Sequence, residues 1–217
     1  MNLKLLHIFL LSTAGTFLLC TPFINTVELA NGLVTGKMCW FHLAMLFFSV
    51  CVFFVMLTKK GTVIAFTFSD PLVLFFAGGV LITYKWNLNP EPEKLIFAGQ
   101  LVILWFLLRY VLTAYREFKF FFLFVLMFTG LIEAVWGMQQ LHGYSHSNHS
   151  LFRLTGSFFN PGPYSGYIAV ILPVCLWTAL RFQKGMHYFA WICVGAILIV
   201  LPAGMSRSAW MAAVVAC

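Results

Sequence analysis

The chain has 217 residues, of which 62% are hydrophobic, 18% aromatic and only 9% charged, with a mean hydropathy of +0.94. A water-soluble domain carries roughly a quarter of its residues charged, so this composition excludes one and points to a bilayer. The formal net charge is +7, but the basic residues are dispersed among short loops. That excludes a nucleic-acid surface and reads instead as a topology signal.

Lys4 precedes an apolar run from Leu5 to about Phe23. The run exceeds a signal-peptide core and lacks a small-x-small cleavage site, so it predicts a retained first span. A crossing takes about 20 residues at 1.5 Å each. A loop from Asn25 to Lys37, carrying Glu28, leads to a second span over 38–57. Lys59 and Lys60 mark an inner turn. Ser69-Asp70-Pro71 opens a third span to about residue 86, with Asp70 read as a helix cap rather than a catalytic carboxylate. A proline-bearing outer loop at 86–94 precedes the fourth span, 95–115. Arg109 falls near its inner end and is expected to snorkel to the interface.

Residues 116–119 are read as a tight inner turn and 120–140 as the fifth span. Glu133 lies near its outer end, below Gln139 and Gln140. A carboxylate there must pair, hydrogen-bond or protonate. Its favoured role is partner to an arginine or a loop amide; the alternatives are a base or a group orienting Arg153. The outer loop 141–163 is the longest polar stretch. A sixth span over 164–180 should kink at Pro173, a seventh covers 187–201, and Trp210 begins an eighth. The expected fold is all-α: a polytopic transmembrane helix bundle of about seven complete spans plus the start of an eighth, one transmembrane domain over 1–217. Lys4, Lys59, Lys60, Arg116, Lys119, Arg181 and Lys184 then lie inside, and Lys37, Lys85 and Lys94 outside. This predicts a cytoplasmic N-terminus with both Arg153 and Arg207 on the outer face. The six cysteines form no CxxC and sit almost all in apolar runs, as small core residues rather than disulfides or metal ligands.

The chemistry concentrates in Arg153-Leu-Thr-Gly-Ser-Phe-Phe-Asn-Pro-Gly-Pro-Tyr-Ser-Gly166 and its smaller echo Ser206-Arg207-Ser208. Arginine at the edge of hydrocarbon is costly and calls for a function, and its planar fork grips phosphate through paired charged hydrogen bonds. Gly156, Gly162 and Gly166 allow sharp turns and close backbone approach. Pro161 and Pro163 lead into a helix whose first N–H groups form a ready anion site. Ser157, Asn160, Ser165 and Ser206 add neutral donors. Two arginines beside two helix starts suit a diphosphate; interfacial arginines holding phospholipid headgroups are the plainer reading of the same pattern. His142, His146 and His149 would share a face on a helix and invite a metal, but the Gly, Ser and Asn between them oppose helix. A solvated loop with no metal is expected, in which a protonated histidine near Arg153 can still touch a phosphate.

The stretch Arg153-x-Thr-Gly-Ser-Phe-x-Asn-Pro, a helix with central Pro173, and Leu201-Pro-x-x-x-Ser-Arg-Ser-Ala-Trp210 together resemble the core of the O-antigen ligase and O-antigen polymerase superfamily. The matching motifs run from about Arg153 to Trp210. The resemblance implies a multi-pass protein of the bacterial inner membrane that moves an undecaprenyl-diphosphate-linked glycan onto an acceptor hydroxyl at the periplasmic face, with no cofactor. The acceptor would be a lipid A core sugar, a polysaccharide or a protein, and membrane lipids would be the remaining partners. It also implies that Arg153 and Arg207 bind the donor diphosphate, with Gly156, Asn160 and Ser206 beside them. Two departures stand out. Gly162 replaces the asparagine that often follows Asn-Pro, and the further helices and histidine-bearing outer loop of the family would come after Cys217. The chain is therefore expected to be the amino-terminal part of a longer protein and not to turn over alone. The rival readings are a transporter or flippase-like protein for an anionic solute, for which no internal repeat is evident, and a structural subunit anchored by its arginines.

Overall fold

The computed structural model describes residues 3–26, 31–59, 61, 67–87 and 90–217. They form eight α-helices: α1 Leu3–Leu19, α2 Gly32–Thr58, α3 Ser69–Trp86, α4 Pro92–Ala114, α5 Arg116–Leu141, α6 Pro161–Arg181, α7 Gly185–Val200 and α8 Arg207–Ala216. Short 3-10 turns occupy Thr21–Phe23 and Pro202–Gly204, and no strand occurs among the described residues. The expected all-α fold is what the chain adopts. The features read at Glu28, Lys60 and the middle of loop 86–94 lie outside the described residues. Helices α2, α4, α5 and α6, of 27, 23, 26 and 21 residues, are long and apolar enough to cross a membrane; α1 and α7 are apolar but shorter, at 17 and 16 residues. By helix length and composition this is a membrane protein.

Local sequence explains where the helices begin. Residues 116–119 are not a turn but the first turn of α5. The break is confined to Tyr115, whose extended backbone (φ −136°, ψ 106°) ends α4, and Glu117 then sits in the first turn of α5, where the helix dipole favours an anion. Helix α6 starts at Pro161 because the Asn160 side chain accepts the Gly162 N–H and proline is preset for the first helical position. Pro173 lies inside α6 without ending it. Helix α2 starts at Gly32, which takes Lys37 out of the expected loop and onto a helix.

The chain divides into two compact units, one of Met1–Leu18 with Phe41–Lys119 and the other of Leu19–Trp40 with Phe120–Cys217. In the first, buried His7 shares hydrogen bonds with the Tyr115 hydroxyl at 2.5 Å and the Thr58 hydroxyl at 2.8 Å. Lys59 caps α4 by donating to the carbonyl of Ala114, with its ammonium 4.0 Å from the centre of the Tyr115 ring. Asp70 is not the cap of α3, whose N-cap position is Phe68 without a side-chain cap bond; it lies in the first helical turn and accepts the N–H of Thr67, just before the helix, at 2.8 Å. It also accepts Trp105 Nε1 at 3.0 Å and pairs with the Arg109 guanidinium. Arg109 therefore does not snorkel away; with a buried carboxylate in reach, the ion pair wins over the interface.

In the second unit α6 packs against α7 and α8. Tyr164, Ile168, Ile171 and Cys175 of α6 are fully or almost fully buried, as are Cys193 and Ile197 of α7 and Ala209 and Ala213 of α8. Small residues at these contacts let the helix backbones approach closely, as membrane helices do where burial against lipid offers little drive. All six cysteines are free.

Candidate functional site

The site is built from the end of α5, the loop that follows it, and the starts of α6 and α8. Helix α5 ends on a left-handed Gly143 (φ 81°). The N–H groups of His142, Gly143 and Tyr144 turn back to the carbonyls of Met138, Gln140 and Gln139, at 3.1, 3.2 and 2.9 Å. These bonds satisfy carbonyls that a helix end leaves orphaned.

One side chain then holds the loop together. The Gln140 oxygen accepts the N–H groups of Thr155 and Gly156 at 2.9 and 2.7 Å. Its amide nitrogen donates to the carbonyls of His146 and Gly156 at 3.0 and 3.1 Å. Gln140 thus acts as a piece of surrogate backbone joining both strands of the loop, and it is buried. Glu133, fully buried two turns earlier on the same helix, accepts the Ser157 N–H at 3.0 Å. The loop-amide role expected of Glu133 is the one it plays. Its other oxygen, Oε1, has no hydrogen-bond partner among the described residues.

The Ser157 hydroxyl donates to the Pro22 carbonyl at 2.6 Å. Lys37 donates to the same carbonyl and to that of Ile24, the latter at 2.9 Å, with its ammonium 5.5 Å from the centre of the Phe158 ring. Gly156 is left-handed (φ 54°), and a Cβ there would lie 2.3 Å from Glu133 Oε2 and 2.4 Å from the Tyr164 ring. Only glycine fits.

The second motif meets the first directly. Ser165, in the opening of α6, donates its hydroxyl to the Gly204 carbonyl at 3.0 Å. A Cβ on Gly204 would lie 2.1 Å from that oxygen, so the contact requires glycine. Met205 then takes a left-handed backbone (φ 51°), a conformation costing about 1–2 kcal/mol outside glycine. Ser206 caps α8 by accepting the Ala209 N–H at 3.4 Å, which makes Arg207 the first helical residue.

The structure thus separates the sequence-predicted site residues into two groups. Asn160 and Ser206 serve as helix caps, and Gly156 is a buried packing position whose N–H is taken by Gln140. Arg153 and Arg207 are exposed, and neither side chain makes a hydrogen bond or ion pair with a described residue. Arg153 lines a cleft of about 330 Å³ with Gln140, His142, Ser145, His146 and Ser147. His149 points elsewhere: its Nδ1 accepts the Leu151 N–H, and its ring contacts Phe152 and Phe159. No group of three metal-ligating side chains occurs among the described residues.

Sequence reasoning passed over Gln140 and Lys37. The available signal for Gln140 was its spacing of seven from Glu133, which puts both on one helix face toward the loop. Lys37 gave no signal, because its role depends on chain folding over it from Pro22 and Ile24.

These elements define a helical membrane protein in which one polar loop is locked from beneath while offering cationic side chains outward. No protein-family model matches the chain, and neither the curated proteins nor the solved structures contain a match to it.

Proposed function

We propose that this protein handles a lipid-linked glycan diphosphate at the outer face of a bacterial inner membrane, as a glycan transferase resembling the O-antigen ligases and polymerases. On this reading α1, α3 and α7 also cross the membrane, giving seven spans with α8 opening an eighth and the N-terminus in the cytoplasm. Arg153 and Arg207 neutralise the diphosphate of the undecaprenyl-linked donor as charge develops on the leaving group, a purely electrostatic contribution. An acceptor hydroxyl, from lipid A core, a polysaccharide or a protein, attacks the anomeric carbon and gives up its proton to solvent. The bond from that carbon to the diphosphate oxygen breaks, and undecaprenyl diphosphate departs.

The observation that carries this reading is the 3.0 Å bond from Ser165 to Gly204. It joins the first turns of α6, which the Arg153 loop leads into, to the break that precedes Arg207, and neither arginine has a carboxylate partner among the described residues. The helix starts at Pro161 and Arg207 lie beside that junction, where N-terminal dipoles favour an anion.

The test is binding of an undecaprenyl-diphosphate sugar to the purified chain, with Arg153→Ala and Arg207→Ala alongside. Micromolar binding lost in both variants, with undecaprenol ignored, is the expected result. Equal binding by all three proteins, or a preference for ordinary anionic phospholipid, sinks the transferase reading and leaves a headgroup-anchored membrane protein.

A further inference from the structure

Resting on that reading of Arg153, the geometry points to more than a lone arginine: we infer that the cleft between the end of α5 and the Arg153 loop is an oxyanion site for a phosphate ester, in which His142 and His146 are ligands beside Arg153. Among its lining residues only these three carry or acquire charge, and all three are basic. Among the described residues no carboxylate lines the cleft. Glu133, two turns back on α5, is fully buried and engaged by the Ser157 N–H. The remaining polar side chains in the lining are Gln140 and two serines, Ser145 and Ser147.

The side chains that could quench the basic groups are committed elsewhere. Gln140 spends its amide on four backbone groups. Ser145 accepts Trp136 Nε1 at 3.2 Å, and Ser147 donates to the Phe152 carbonyl at 2.5 Å. Near the end of α5 the carbonyls of Met138, Gln139 and Gln140, which would repel an anion, are covered by the N–H groups of His142, Gly143, Tyr144 and Ser145. His142, His146 and Arg153 are exposed, and the described residues offer their polar side-chain atoms no hydrogen bond; His142 makes only a ring contact with Tyr144, at 6.5 Å. Gln140 fixes both walls, because it bonds the His146 carbonyl on one side and the Thr155–Gly156 amides on the other. A prealigned cleft whose ionisable lining residues are all basic is what a phosphate ester with two or three acceptor oxygens requires. Imidazole donates from both nitrogens only when protonated, so an oxyanion should be held more tightly in acid.

Sulfate is the probe of choice, since it stays a dianion from pH 5.5 to 8 and any pH dependence then belongs to the protein. Its binding to the full chain in phosphatidylcholine nanodiscs is measured at both ends of that range. The expected result is affinity about tenfold higher at the acid end, on the scale of one added charge-assisted hydrogen bond. The His142→Gln/His146→Gln double variant should lose the pH dependence and keep the weaker binding. Arg153→Ala should lose binding at both pH values, and His149→Gln should match the wild type. Unchanged pH dependence in the double variant, or equal binding by wild type and Arg153→Ala, overturns the site.

Two further arms separate the cleft from the transferase reading. Competition by undecaprenyl diphosphate for the sulfate site, impaired by Arg207→Ala, supports both. Competition by phosphatidylglycerol added to the nanodiscs, with undecaprenyl diphosphate no better, supports the oxyanion cleft and overturns the glycan donor as its occupant.

Discussion

Arg109 and Arg153 sit in a chain with only 9% charged residues, and the fold treats them in opposite ways. Arg109 lies on the apolar helix α4, and its side chain is 18% exposed against 1% for the Asp70 carboxylate it grips. That carboxylate is shared with Trp105 and Thr67, so the polar groups close on one another. Arg153 stands on a loop held by the bonds of Gln140 and Glu133, while its own guanidinium meets no carboxylate among the described residues. An arginine satisfied by its own protein serves structure; one that shares a cleft with two histidines and two serines is the one on which the proposed anion site rests.

Breaking the first arrangement should have the largest effect. Asp70→Ala removes the buried carboxylate that Arg109, Trp105 and Thr67 share and is expected to cost about 3–5 kcal/mol, as for other buried pairs cut on one side. Denaturant titration of the protein in detergent checks this. The Asp70→Leu/Arg109→Leu double variant should recover most of the loss, and failure to recover would show that the two side chains do not act as a pair.

Gly156→Ala comes next. It forces a Cβ against Glu133 and Tyr164 in a left-handed backbone, with an expected cost of about 2–4 kcal/mol and loss of anion binding. An alanine variant of wild-type stability would refute the packing described for the loop.

Gln140→Ala removes four backbone bonds from a buried position and should cost about 2–3 kcal/mol. Hydrogen exchange at the Thr155 and Gly156 amides should accelerate while the α7 amides stay protected. Uniform acceleration throughout the chain would place Gln140 in global stability rather than in holding the loop.

Sharper still are the substitutions with small stability effects. Ser206→Ala and Asn160→Ala each remove a helix cap, worth about 1 kcal/mol. Arg153→Lys should leave stability within about 0.5 kcal/mol, as for surface changes generally, yet weaken anion binding by about tenfold or more because the bidentate fork is gone. If lysine binds as well as arginine, the headgroup-anchor reading takes over.

Much of the helical layout was legible because apolar runs bounded by Lys, Pro and Gly register along the chain itself. The helix expected over 164–180 exists as Pro161–Arg181, and its earlier start was written in Asn160-Pro161. The Glu133 bond to a loop amide was legible for a similar reason, since a carboxylate in an apolar run has few ways to be satisfied. Arg109 was misread because its partner lies 39 residues away on another helix, and no local spacing announces such a pair. Gln140 was passed over because amide side chains bonding backbone leave no periodic trace.

The sequence by itself determined an all-helical membrane chain, the positions of its breaks, and the residues with chemistry to spare, because hydropathy, proline, glycine and charge act locally on the backbone and its solvent. Only the tertiary structure decided which of those residues are consumed by the protein. Asp70, Gln140, Asn160 and Ser206 find internal partners, whereas Arg153 and Arg207 find none among the described residues. The reason is geometric: a hydrogen bond forms over about 3 Å of space, and distance along a sequence carries no information about that separation once the chain has turned back on itself.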